Sequence, residues 1–381
     1  VSYQWGNGVI QDGNLAIKNL KEIIELGDSP EAIDALKNIG YIYSNGFTNV
    51  NRDFQIAIDF YKQAEEMGDK ESQFILGKIY LALDDFETAE KWLVKSGSNE
   101  SSLALSNLKK ALNGDAESQL QIGHLISVFG ETDIAYYWYE KSAINGNSEA
   151  QNIMGAVFGG TNNYSFGEDK NDQVSLFWLK KAAQQGDASA QNNLGVAYHN
   201  GLGVNVDIDQ ALYWYELSAE QGYGLAMRNL GSIYITFLND PLKAIEYYKK
   251  AFEMNDKEAA WDLGYLYLRG KDGIKVNEEL AFEWMLKGAK NFYKPAEFEV
   301  SMMYLDGVGV QADELQSTIW LVKAYNNSIS IHDAEWDDLV RKELTRRYFY
   351  GIGIEKSLEK AKEVDLFHSI ELLGDCSLNP C

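Results

Sequence analysis

Cysteine is nearly missing. Two occur in 381 residues, Cys376 and Cys381, both in the terminal stretch "DCSLNPC". They flank Asn379 and Pro380, which favour a turn, and could close a small disulfide of the kind an oxidising compartment such as the periplasm permits. Two free thiols on a frayed terminus are the equal alternative. Zinc is a poor fit, because His368 is the only other nearby ligand and a structural site needs about four. Proline is also scarce, at four residues, which leaves room for uninterrupted helices.

No apolar run approaches the roughly 20 residues that span a bilayer, and no charged-then-apolar signal segment opens the chain. Positive charge is short as well. Lys and Arg number 34 against 57 Asp and Glu, for a formal net charge of -23. Such a potential repels phosphate backbones and anionic headgroups, so nucleic acid and bare membrane are poor partners and direct membrane insertion is not expected. A basic protein or peptide would be drawn in, although acidity also simply keeps a protein soluble.

What is present in quantity is apolar and aromatic side chain, 45% and 13% of the residues. That composition argues against disorder. The length exceeds what one compact core usually supports, so several domains or a repeat array are expected.

The chain repeats itself. The segment "ASAQNNLGVAYHNGLGVNVDIDQALYWYELSAEQG" recurs in outline as "KEAAWDLGYLYLRGKDGIKVNEELAFEWMLKGA" and as "PAEFEVSMMYLDGVGVQADELQSTIWLVKAY". In each unit a first helix carries a small residue, an apolar residue followed by Gly, and an aromatic, as at Ala190, Leu194, Gly195 and Tyr198. These fall on one face of an α-helix. A second helix carries Ala211, Trp214, Tyr215 and Ala219 and ends at Gly222, a residue suited to a left-handed helix terminus. The glycine mark recurs at Gly40, Gly77, Gly123, Gly155, Gly195, Gly231 and Gly264, then as Ser301 and Thr345, at spacings of roughly 32 to 46 residues. The aromatic mark recurs at Phe60, Trp92, Trp138, Trp178, Trp214, Tyr247, Trp284 and Trp320. Close approach explains the pairing: Gly or Ala on one helix leaves a hollow, and the Trp or Tyr of its neighbour is expected to fill it.

The marks divide the chain into a partial repeat over residues 1–27, repeats over 28–97, an additional helix over 98–114, core repeats over 115–325 and a degenerate terminal repeat or cap over 326–381. Tyr3, Gly6, Gly8 and Val9 keep the spacing of Tyr198, Gly201, Gly203 and Val204, which places Val1 already inside a first helix. The stretch "SSLALSNLKKALNG" has no obvious partner helix.

The combination of "LGVAYHNGLGV" with "ALYWYELSA" resembles the Sel-one-like repeat (SLR), a relative of the tetratricopeptide repeat, over nearly the whole chain. The resemblance implies an all-α fold, a right-handed α-solenoid superhelix of tandem two-helix repeats, with a concave groove for a protein or peptide. It also implies no cofactor. Bacterial members include envelope adaptors and periplasmic immunity proteins that neutralise secreted phospholipase effectors. The expectation is thus a non-catalytic adaptor or inhibitor, monomeric, in the periplasm or cell envelope, with a structural scaffold of an envelope complex as the alternative and a hydrolase as a remote one. A cysteine-rich branch of the family ties its repeats with disulfides, and this chain departs from it.

If first helices line the groove, the residues two before and two after the apolar position face inward. This singles out Tyr41 with Lys37, Phe74 with Lys78, Asn192 with Val196, Arg228 with Ser232, Trp261 with Tyr265 and Phe298 with Met302. Leu268 and Leu305, one turn on, would extend an apolar patch of the kind that makes interface hot spots. The competing expectation is that a tight superhelix buries these side chains between adjacent first helices. His124 and His199 stand too far apart for a ligand set and read as satisfied surface histidines.

No nucleophile sits beside a base at catalytic spacing. The Gly-x-Gly of "GLGVNVD", "GVGVQAD" and "GIGIEKS" follows a helix rather than a strand and recurs with the repeat, so it reads as an inter-helix turn and not a phosphate cradle. "GEDKNDQ" near Glu168 lacks the spacing of a calcium loop.

Overall fold

In a computed structural model the residues described are 13–47, 49–129, 133–160, 170–270, 273–327 and 334–364. Cys376, Cys381, His368, the opening marks Tyr3 to Val9 and Glu168 lie outside them. The chain forms two compact units, Val1–Asp207 and Ile208–Cys381. The division falls inside a repeat, a boundary the sequence marks do not announce.

The first unit contains α1 (Gly13–Ile24), α2 (Pro30–Asn45), α3 (Phe54–Glu66), α4 (Lys70–Ala82), α5 (Phe86–Ser96), α6 (Asn99–Leu112), α7 (Ala116–Ser127), α8 (Asp133–Ile144), α9 (Ser148–Gly159), α10 (Asp172–Gln184) and α11 (Ala188–Asn200). The second contains α12 (Ile208–Glu220), α13 (Gly224–Thr236), α14 (Pro241–Glu253), α15 (Glu258–Arg269), α16 (Glu278–Lys290), α17 (Lys294–Asp306), α18 (Glu314–Asn326), α19 (Ala334–Tyr350) and α20 (Leu358–Val364). Within each unit the helices pack as antiparallel pairs, each stacked on its neighbour in the chain. This is an α-solenoid of two-helix repeats, and among the described residues it contains no strand beyond one isolated bridge between Phe47 and Val50.

Local chemistry sets the helix starts. Asp53, Asp69, Asp85, Asp115, Asn147, Asn171, Asp187, Asp240, Asn277 and Asp313 each accept a hydrogen bond from the backbone N–H three residues on, which satisfies a donor that the first helical turn otherwise leaves open. Many acids of this acidic chain therefore serve as helix caps.

The hollows beside these first-helix glycines are filled, in several repeats by the expected Tyr and in others by Leu or Met. A β-carbon on Gly40 would lie 2.8 Å from Tyr61, one on Gly123 2.7 Å from Tyr139, one on Gly155 2.6 Å from Leu179 and one on Gly231 2.8 Å from Tyr248. The filler is the residue after the aromatic mark. Ala57, Ala135 and Ala244, all fully buried, sit four residues before Tyr61, Tyr139 and Tyr248, one turn away on the same helical face. The aromatic mark, buried at Trp138 and Trp320 as well, comes at three, to one side of that face. There it carries a lysine three residues further on: Lys95 lies 4.8 Å from the Trp92 ring, Lys181 5.4 Å from Trp178, Lys287 3.7 Å from Trp284 and Lys323 3.7 Å from Trp320.

Neighbouring repeats are locked by a recurrent glutamine. Nε2 of Gln119 donates to the Ala111 carbonyl (3.0 Å), that of Gln151 to Ala143 (2.9 Å) and that of Gln191 to Ala183 (3.3 Å). All three glutamines are buried, and a buried amide with its partner in place fixes register. Ala111 belongs to α6, so the additional helix takes the place that a second helix holds at the other two junctions.

Candidate protein-binding surface

First helices of the second unit gather the candidate residues on α13, α15 and α17. On α15 the rings of Trp261 and Tyr265 stack with centroids 5.4 Å apart and planes 19° apart, and the Arg269 guanidinium lies 5.2 Å from the Tyr265 ring. Positions four apart on a helix are neighbours, so the three form one continuous stripe. Tyr265 is 40% exposed. Trp261 is half-buried against the apolar cluster of α16 and α17, as is Leu268. The Trp261 indole N–H is buried and has no acceptor among the described residues.

Beside the stripe, Arg228 of α13 reaches Asp256 at 3.0 Å, Glu258 at 2.8 Å and Asp262 at 3.7 Å. One guanidinium thus faces three carboxylates, and the locality keeps a surplus of negative charge. Burial raises the Asp262 carboxyl from the usual carboxylate range to about 6; Arg228 pulls it down, while Glu258 and Asp256 push it up. Sequence reasoning found Arg228 but not its acidic partners, whose only signal is the acidic run from Asp256 to Asp262.

Not every candidate lies open. Phe298 is 8% exposed and packs with Leu321, Val340 and Leu344, its ring 5.8 Å from Trp336 of α19. Asn192 is 1% exposed, and its neighbour Asn193 is the one that donates to Asn152 on the adjacent first helix, at 3.0 Å. For these two the competing expectation of burial between helices holds. Tyr41 (40%) and Tyr265, each two after the apolar position, stand in solvent, whereas Val196 and Ser232 at the same position are half-buried. Met302 and Leu305 are half-buried on α17. In the first unit Lys37 is paired with Asp69 and Glu71, and Phe74 and Lys78 are half-buried on α4. His124 lies between the Tyr139 hydroxyl and Glu149, each 3.2 Å away.

One polar cluster was not foreseen. Arg347 of α19 is fully buried and donates to Glu343 (3.0 Å), Ser317 (2.8 Å), Thr318 (3.1 Å) and Ser301 (3.1 Å). Among the described residues no group of three or more His, Cys, Asp and Glu side chains is gathered as a metal would require, and no helix is long and apolar enough to cross a membrane.

The Sel1 repeat model matches residues 1–28, 33–69, 119–147, 148–187, 188–223, 224–256, 257–291, 294–328 and 346–363, skipping the stretch that holds α4 to α6. A solved Sel1 repeat protein from Oxalobacter formigenes is similar at 25% identity over 84% of this chain and 89% of its own, with a TM-score of 0.51. A protective antigen of uropathogenic Escherichia coli strains that displays an SLR fold is 25% identical over 98% of this chain and 84% of its own, with a TM-score of 0.42. Chitin synthase regulatory factor 3 of Schizosaccharomyces pombe is 34% identical over 88 residues, 23% of this chain and 9% of that much longer protein. With these repeats spread over most of its length, the chain belongs to the Sel1 repeat family, whose hairpins build protein-interaction solenoids.

Proposed function

We propose that this chain is a non-catalytic protein-binding solenoid, an adaptor or inhibitor, which receives a basic segment of a partner protein on the first-helix face of α13, α15 and α17. The observation that carries the reading is Tyr265, stacked on Trp261 and exposed, beside a guanidinium outnumbered by carboxylates. A Lys or Arg of the partner would lay its stem on the rings and its charge against Asp262 and Glu258, while Met302 and Leu305 would take apolar neighbours. The net charge of -23 speeds the encounter with such a partner.

The finer form is an immunity role in the periplasm or cell envelope, as a monomer, against a secreted phospholipase-type effector. It rests on family resemblance. Survival of cells that express both the effector and this chain, against cells that express the effector alone, tests it.

The broader reading is tested by affinity purification from the native cell, followed by titration of the recovered partner against Tyr265→Ala and Glu258→Gln. Weaker binding by both, with unchanged melting, is expected. A partner that binds the two variants as well as the parent protein would refute the assignment of this face.

A further inference from the structure

The cations of the first unit differ in how the described carboxylates answer them. Lys37 is neutralised by Asp69 and Glu71, and Lys95 by Glu65. Lys78 and Arg52 have no carboxylate at ion-pair distance among the described residues, and both lie on phenylalanine rings. The Lys78 ammonium is 5.1 Å from the Phe74 centroid and 5.6 Å from that of Phe129. The Arg52 guanidinium is 5.9 Å from the Phe54 ring, and Phe54 meets Phe129 edge to face at 5.7 Å. Phe129, itself buried, thus joins the half-buried Phe54 and Phe74 into one aromatic floor under both cations.

We propose that Phe54, Phe74 and Phe129, with Lys78 and Arg52 upon them, form a second docking site, distinct from the α15 face, for an acidic segment of a partner protein. The argument is charge complementarity. A half-buried ammonium with no carboxylate at ion-pair distance among the described residues is an unfavourable placement, in a chain that has 57 acidic residues in all. Glu71, the nearest in charge terms, is engaged by Lys37. Acidic side chains of the arriving segment would accept charge-assisted hydrogen bonds from Lys78 and from Arg52, while its apolar residues cover the open parts of the Phe54 and Phe74 rings. A polyphosphate chain fits less well, because it has no apolar groups to lay on the phenylalanine rings. Burial also holds the Lys78 amine below the usual lysine range, a displacement that a bound carboxylate would reverse.

The test is a displayed random-peptide library selected on the intact chain. Recovered peptides are then made synthetically and titrated by fluorescence anisotropy. The expected ligands contain Asp or Glu beside an apolar residue. They lose about tenfold or more in affinity for Lys78→Met and for Arg52→Gln, and they bind Tyr265→Ala unchanged, which separates this site from the one on α15. Should Lys78→Met fail to fold, Arg52→Gln, a change at an exposed side chain, carries the test by itself. Recovered peptides without acidic residues, affinities indifferent to both substitutions, or no enrichment at all would each overturn the proposal and show Lys78 to be a stem that merely covers core.

Discussion

Gly309 rests on the backbone of Glu278: a β-carbon at Gly309 would stand 2.0 Å from the Glu278 carbonyl oxygen. Gly353 meets Glu314 at the same distance, and Gly203 meets Asp172 at 2.4 Å. In each case the second glycine of a Gly-x-Gly loop presses on the first residue of the preceding repeat's second helix. The motif is both a turn and a stacking contact.

Gly309→Ala should therefore cost more than 3 kcal/mol or so, since a left-handed backbone (φ 66°) and a backbone clash act together. Gly273→Ala is the control. It shares the positive φ but meets nothing within 4 Å, and should cost about 1 kcal/mol. Urea denaturation of the two variants measures the difference, and equal losses would show that the loop does not stack.

Phe298 and Tyr265 should separate core from surface. Phe298→Ala empties a buried site and is expected to cost about 3–5 kcal/mol. Tyr265→Ala removes a ring that is 40% exposed and should cost about 1 kcal/mol or less while weakening the partner. Thermal melts of both, beside one binding titration, decide it.

The positions of the hairpins were legible in the sequence, because Gly and Ala recur in phase with bulky residues. The filler of each hollow was not, since "FY", "WL", "WY" and "YY" put two large side chains at adjacent positions and only the turn of the helix chooses between them. The burial of Asn192 and Phe298 was also hidden: a 3.6-residue period describes one helix and says nothing of how near the next first helix comes. Arg347 sits in "LTRRYF", which reads as an exposed basic patch. Its signal lay elsewhere, in Ser301 and Ser317, where most other repeats have Gly or Ala.

Asp262 should make stability depend on pH. Its folded-state value, about 6, lies above the ordinary 3.8, so its contribution is fully present below 3.8 and is lost as the pH rises through about 6. Asp262→Asn removes that loss. At pH 8 the variant should be more stable by about 1–2 kcal/mol, short of the roughly 3 kcal/mol that such a shift represents, because Arg228 gives up one partner. Denaturation curves at pH 4 and pH 8 check the crossing, and a variant weaker at both would refute it.

Glu297 occupies the glutamine position of the repeat lock. It is 1% exposed and accepts from Asn327 at 2.6 and 2.8 Å, as Gln151 accepts from Gln185 at 2.8 Å. Burial raises its carboxyl above the usual range, more than Asn327 and nearby lysines lower it. Its contribution is therefore lost as the pH climbs through that raised value. Glu297→Gln should stabilise the chain at neutral pH and flatten this dependence, as read by melting temperature across a pH series.

The buried amide that joins Gln119 to Ala111 joins Gln151 to Ala143 and Gln191 to Ala183 in the same manner. Because every such seam uses one donor and one acceptor drawn from equivalent positions, a module copied from one place finds a ready socket at another. Growth or shortening of the array by gene duplication or loss then needs no new interface, which accounts for how a lone helix such as α6 could be spliced in without breaking the stack.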